Sequence, residues 1–304
     1  MPTITDQNFG VEIEIAGVDR ATLVQAVAEA IGGRVIQNHS GSLDATIIAD
    51  LQGRQWQLKN DSSIGIVNGV SGSELVTPIL QYSDMPVLQN AVRAAKAAGG
   101  LAHRSTSMHC HVDARPHTPQ SLSILAKMIY KNEDMIFDAL NVLPERRARY
   151  TRPMEVDFID KVAKRRPKSM QRLNEYWFGS YNASPERYEN HRYHGMNLNN
   201  CFRDICTVEF RYFNGTLNPE KVSSWVLFCL ALSAKALNAR AASHKKIPTD
   251  NPKFNFRVWL VATLGMKGDE FKLARHYLTK NLTGNSAWRY GRPNTTQRFT
   301  SEES

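Results

Sequence analysis

The chain is poor in cysteine, and its four, Cys110, Cys201, Cys206 and Cys229, never fall in a CxxC pair. That spacing excludes a zinc ribbon and a disulfide framework, and it is the pattern of reduced thiols. No run approaches the roughly 20 apolar residues that a membrane-spanning helix needs; the apolar stretch around Trp225–Leu232 is far shorter. The opening residues, Met1-Pro2-Thr3-Ile4-Thr5-Asp6, offer neither a basic nor an apolar leader segment, so a cytoplasmic location without membrane partners is expected. Internal repeats are lacking, and low complexity is confined to the tail. GxxxxGK[ST] is missing too, so any nucleotide chemistry must proceed without a P-loop. What remains is a globular composition over 304 residues, 42% hydrophobic and 22% charged. Its surplus of 38 Lys and Arg over 29 Asp and Glu, +9 in all, favours phosphate-bearing or acidic partners.

Hydrophobic periodicity orders the chain. Asn8–Ala16 alternates as a half-buried strand, and Asp19 caps an amphipathic helix to about Ile31. Strands follow at Ala45–Asp50, Gln55–Lys59 and Ser73–Thr77, the last stopped by Pro78. A helix over Asp84–Ala98 ends at Gly99-Gly100. Met108–Asp113 alternates again before a long helix from Pro119 to about Leu143. The stretch 144–169 is dense in Arg and Lys and reads as a mobile basic insertion with one short helix. Strand patterns at Gly195–Asn199 and Cys206–Phe213 precede a long apolar helix opened by Pro219, then shorter helices at Phe254–Leu264 and Asp269–Asn281. Trp177, Trp225, Trp259 and Phe137 sit in apolar helical contexts as packing residues, and Cys110 reads as a small buried residue. Residues 1–285 are thus expected to form one domain and 286–304 a polar, flexible tail.

Three strands carry polar residues two apart, and such residues share a face. Glu12 and Glu14 lie opposite Val11, Ile13 and Ile15. His109 and His111 lie opposite Met108, Cys110 and Val112. Glu209 and Arg211 lie opposite Val208, Phe210 and Tyr212. Taken singly, each pair has a plain reading: a solvated face, a pair of satisfied histidines, a cross-strand ion pair. Asp61 and Glu74 alone read as a turn residue and a surface strand residue. Taken jointly they converge, because carboxylates stacked on one face repel unless cations lie between them. A donor set rich in oxygen suits Mg²⁺ or Mn²⁺ better than Zn²⁺. An arginine beside such ions is a companion of phosphoryl transfer. The expected fold is α+β: an antiparallel sheet with a concave face holding the site and helices backing the other face.

Phe9-Gly10-Val11-Glu12-Ile13-Glu14, Asp61-Ser62-Ser63-Ile64 with Glu74-Leu75-Val76-Thr77-Pro78, His109-Cys110-His111-Val112, and Thr207 through Leu217 occur in that order. Over about residues 8–240 the chain resembles the amidoligase family of carboxylate–amine ligases, related in fold to glutamine synthetase and glutamate–cysteine ligase. The resemblance implies an ATP- and Mg²⁺-dependent (or Mn²⁺-dependent) ligase that joins a small-molecule or peptide carboxylate to an amine through an acyl phosphate. It implies that Glu12 and Glu14 face different metal ions, with Glu74 beside the second and His109 and Glu209 beside the first. Arg211 would contact the transferring phosphoryl group, with Glu209 beside it as a second catalytic group, and His111 would border the nucleotide. Asp61 would complete a metal shell or hold the incoming amine, as a catalytic or substrate-binding group. Arg192, Asn197 and Arg203 would bind phosphate or a substrate carboxylate. Two departures from glutamine synthetase stand out. Arg104-Ser105-Thr106-Ser107 replaces its Asn-Gly-containing loop, which tells against glutamate and ammonia as substrates, and no β-grasp domain precedes Glu12. Three other readings stay open: a zinc hydrolase using His109 and His111, a guanidino-type phosphotransferase, and, less favoured, a nucleic-acid-binding protein that uses the basic 145–168 stretch.

Overall fold

The computed structural model describes residues 2–37, 45–186 and 188–290. Its ten strands are β1 (Phe9–Ile15), β2 (Arg34–Gln37), β3 (Ala45–Ala49), β4 (Gln55–Asn60), β5 (Ile66–Val67), β6 (Val70–Ser71), β7 (Ser73–Val76), β8 (Ser107–Asp113), β9 (Met196–Asn197) and β10 (Thr207–Asn214). Eight of them form one sheet in the order β2-β3-β4-β7-β1-β8-β10-β9, and every pairing in it is antiparallel. β5 and β6 form a separate small hairpin. The helices are α1 (Arg20–Ala30), α2 (Met85–Ala97), α3 (Pro119–Leu140), α4 (Pro144–Arg149), α5 (Val156–Arg165), α6 (Met170–Phe178), α7 (Pro219–Asn238), α8 (Pro252–Val258) and α9 (Lys272–Thr279). The fold is therefore mixed α/β, a large antiparallel sheet backed by helices. No helix among the described residues is long and apolar enough to cross a membrane.

Local chemistry sets the element ends. The Asp19 carboxylate accepts the Thr22 N–H at 2.9 Å and so caps α1. Thr118 and Ser121 cap α3 reciprocally, and Pro119 occupies its first turn, where no N–H is missed. The apolar sides of the strands meet the helices: α1 lies against β2–β4, α7 against β8, and α3 against β10. Ile13, Ile15, Met108, Cys110, Val112 and Val208 are fully enclosed there. Phe213 stacks on Trp225 of α7 with ring centroids 4.8 Å apart. Each such large apolar side chain contributes about 1.5–3 kcal/mol on leaving water.

The basic stretch departs from its sequence reading. It holds two helices, α4 and α5, where one short helix in a mobile connection was expected. α5 packs on α3 and α6, burying Phe158, Ile159 and Val162, and Phe158 meets Trp177 edge-on at 5.0 Å. The density of Arg and Lys hides an amphipathic helix whose apolar side is the anchor. α6, β2 and the β5–β6 hairpin were not read from the sequence. The last carries an Asn68-Gly69 turn with both residues at positive φ, a strong hairpin signal. Of the expected C-terminal tail, 291–304 lie outside the described residues.

One buried histidine ties α3 to α7. His117 Nδ1 lies 3.0 Å from Ser121 Oγ and Nε2 lies 2.9 Å from Ser233 Oγ. Burial, opposed weakly by Asp113, pushes its pKa down to about 4. The stability it contributes is full above its unfolded value, about 6.5, and is lost as pH falls through 4. Wild type minus His117→Gln should therefore lose about 3 kcal/mol of unfolding free energy between those limits, measured by urea titration across pH. A difference that does not change with pH would remove His117 as the acid-sensitive joint.

Candidate active site

Strand register brings the polar residues of six adjacent strands onto one face. In the β1–β8 pair Glu12 stands opposite His109, and Gly10 opposite His111. In β1–β7 Glu14 stands opposite Glu74, and in β4–β7 Lys59 stands opposite Glu74. His111 then faces Glu209, which in turn faces Asn197 of the short strand β9. Between Phe210 and Phe213 the β8–β10 register shifts, so Arg211 and Tyr212 together oppose His109. Arg211 keeps the polar face it shares with Glu209, and the β-bulge after it turns Phe213 back into the core. Gly195 makes room for the bulge. A β-carbon there would come within 2.0 Å of the Tyr212 ring, and the Gly195 carbonyl accepts the Arg211 N–H at 2.7 Å.

Charges are tightly interlocked along the row. Glu12 Oε2 lies 3.2 Å from His109 Nδ1, and Glu12 Oε1 lies 3.5 Å from His111 Nε2. Glu209 takes a hydrogen bond from Arg211, and a second from Asn197 Nδ2 at 2.6 Å. Ser107 clamps Glu14, its N–H and its hydroxyl each donating to one carboxylate oxygen at 2.6 Å. Burial alone would raise Glu209, but Arg211, His111 and His109 overcome it and hold the carboxyl at about 2. Burial likewise opposes charge on His111, yet Glu12 and Glu209 push it up to about 9. His109 goes the other way, lowered by burial and by Arg211. Glu74 is pushed up to about 8, first by burial and then by Glu12, Glu14 and Asp61, with only Lys59 opposing. Burial and the neighbouring carboxylates together disfavour the negative charge of Glu74, a cost that a cation bound beside it would relieve.

Three overlapping groups bring ligand atoms within 4.8 Å of one another: Glu12, His111 and Glu209; Glu12, Glu74 and His109; Glu14, Asp61 and Glu74. His109 lies 3.2 Å from Glu12 and 3.7 Å from Glu209, and His111 reaches the same pair of carboxylates. Asp61 also caps a short 3₁₀ turn, accepting the Ser63 N–H at 2.9 Å. In front of the row lies a cavity of about 580 Å³, walled by Glu12, His111 and Glu209 and by Lys59, Arg192 and Arg203. Asn197 is buried at its floor, while Arg203 holds Asn200 at 3.3 Å on the rim. Arg192 lies over the Tyr188 and Tyr193 rings.

Three residues at the face carried no role in the sequence reading. Ser107 was noted only as a departure from a relative's loop. Lys59 was detectable, because Gln57 and Lys59 alternate against Trp56 and Leu58. Arg146 was one cation among many in the basic stretch, yet it is 93% enclosed and donates to the Arg211 carbonyl at 3.2 Å. Burial pulls it down to about 10, with Glu14 opposing and Arg211 assisting. Arg146 Nε, Arg211 Nε and His111 Nε2 are buried without a hydrogen-bond partner among the described residues. Buried donors are rarely left so; ordered water or a bound ligand completes them.

Residues 5–233 match the family model described as "putative amidoligase enzyme". The match spans most of the chain, which belongs to this family and is thereby of ligase type. No curated protein matches it.

Proposed function

We propose that this member of the amidoligase family is an ATP-dependent carboxylate–amine ligase working through an acyl phosphate, on a catalytic domain like that of glutamine synthetase spanning 1–285. The observation that carries the reading is the row of three overlapping ligand groups lying beside buried, incompletely bonded arginines. The donor set fits Mg²⁺ or Mn²⁺: it is mostly carboxylate, with one imidazole in each of two groups and none in the third. Glu12, His109 and Glu209 would hold one ion, and Glu14 and Glu74 a second. Bound there, divalent ions would offset the triphosphate charge and polarise the transferring phosphoryl group.

The chain's own residues supply the rest. A carboxylate is a poor acceptor for an amine because its leaving oxygen is too basic. Attack of a substrate carboxylate oxygen on the γ-phosphorus of ATP forms a C–O–P bond and breaks the bond to ADP. Arg211 donates to the phosphoryl oxygens as charge moves onto them, and Arg146, fixed behind it, keeps the local field positive. Glu209, itself fixed by Asn197, holds the Arg211 guanidinium in place. Arg192, Arg203 and Lys59 bind the anionic groups of ATP and acid in the cavity, with His111 bordering the nucleotide. Asp61 orients the amine and takes its proton as the C–N bond forms and phosphate leaves. Electrostatic placement of this kind supplies most of the acceleration in phosphoryl transfer.

Release of ADP from Mg-ATP across a panel of acid–amine pairs tests the reading. The expected result is release that requires both partners and yields one amide per ADP. Release that needs the acid but ignores the amine would make the protein a phosphotransferase, and activity that follows zinc content without ATP would make it a hydrolase.

A further inference from the structure

A second cavity, about 520 Å³, lies between the start of α3, the end of α5 and the residues following α7. Its walls carry four cations, Lys127, Arg166, Lys168 and Arg240, and no carboxylate. Its floor is apolar, formed by Ile124 and Val162. Among the described residues none of the four cations has an ion-pair partner, although several cations around them do. Lys161 pairs with Asp157, Lys164 with Asp160, and both Lys246 and Arg147 with Asp134. Four cations without an ion-pair partner among the described residues thus converge on one concavity, Lys127 half-buried and Arg166, Lys168 and Arg240 exposed at its mouth.

Two features show that this gathering works against local preference. Lys127 is half-buried, and its ammonium is drawn down first by burial and then by the nearby Arg166 guanidinium. Arg166 itself holds a left-handed backbone, φ 39°, which a residue with a β-carbon resists, and the buried Pro167 follows it. Like charges are therefore held together without a counter-charge from the protein. The first turn of α3, a 22-residue helix, opens on the same space and adds the positive end of its dipole.

We propose that this cavity binds a compact, multiply charged, phosphate-bearing small molecule at a site separate from the carboxylate row. Several oxygens on one small anion satisfy converging cations at once, and arginine meets phosphate oxygens in pairs. The volume is that of a small-molecule pocket. An extended nucleic acid fits the surface less well. The side chains of Asp157, Asp160 and Asp134 are 75%, 42% and 57% exposed beside the basic residues, and a backbone tracking across that face would meet them.

Inorganic pyrophosphate is the probe, titrated calorimetrically into the full chain in EDTA at about 0.15 M ionic strength. Without divalent cations the carboxylate row repels it. One equivalent should bind, and Lys127→Gln combined with Arg240→Gln should weaken binding at least about tenfold with an unchanged melting temperature. Arg203→Gln, in the other cavity, should leave it unchanged. The proposal fails if wild type binds no pyrophosphate, if the double variant binds as well as wild type, or if Arg203→Gln removes the binding. It also fails if a single strand of about 16 nucleotides binds more tightly than pyrophosphate and is indifferent to the double variant.

Discussion

Under the proposed ligase reading, Glu12→Gln is expected to lower Mg²⁺-dependent ATP turnover by about 10³-fold, roughly 4 kcal/mol of barrier, with the protein still folded. The size follows from position. Glu12 belongs to two of the three ligand groups and touches both histidines, so no other carboxylate can take its place. Glutamine keeps the shape but removes the charge and turns an acceptor oxygen into an N–H donor. The protonated His111 then loses its nearest counter-ion, and the ligand set loses an anion at its centre. Two measurements separate chemistry from folding: turnover under saturating metal, and melting temperature without it. Turnover within tenfold of wild type in a variant that melts normally would take Glu12 out of the reaction.

The second large effect belongs to Arg211 and requires a conservative substitution. Arg211→Gln would leave Glu209, 2% exposed, without its counter-charge. Removing one partner of a buried pair costs about 3–5 kcal/mol of stability, so a loss of activity there would be ambiguous. Arg211→Lys preserves the charge and with it the Glu209 partner, but loses the planar fork and the Nε donor that lacks a partner. The expected result is kcat down about 10²-fold, KM for ATP within a few-fold, and stability nearly unchanged. That split marks an interaction stronger in the transition state than in the bound ground state. Wild-type kcat in Arg211→Lys would show that the guanidinium serves only to neutralise Glu209.

The two-residue alternation of β1, β8 and β10 was legible because each strand sends an unbroken apolar side into the helices, leaving Glu12, Glu14, His109, His111 and Glu209 on the opposite face. The cross-strand register was not. Nothing in the chain states that Glu12 faces His109 and not His111, which depends on pairings between strands far apart in number. The bulge that returns Phe213 to the core was equally hidden, since it depends on the pairing of β10 with β8. Arg146 escaped for another reason. In a stretch crowded with arginines the sequence does not say which one turns inward, and burial is decided by what α4 packs beside. Lys59 and the Asn68-Gly69 turn carried local signals that went unread.

The order of strands around the row has a kinetic consequence. Glu12 and His109 meet across 97 residues of chain, and His111 meets Thr207 across 96. Two long loops must therefore close before the Glu12–His111–Glu209 group is complete, and closures of that kind are slow steps in folding. No fragment that stops short of β10 can hold Glu209 or Arg211 in place, so a ribosome-bound chain is inert until residues past 214 have emerged. On refolding, activity should return with the last phase of sheet assembly and never ahead of it.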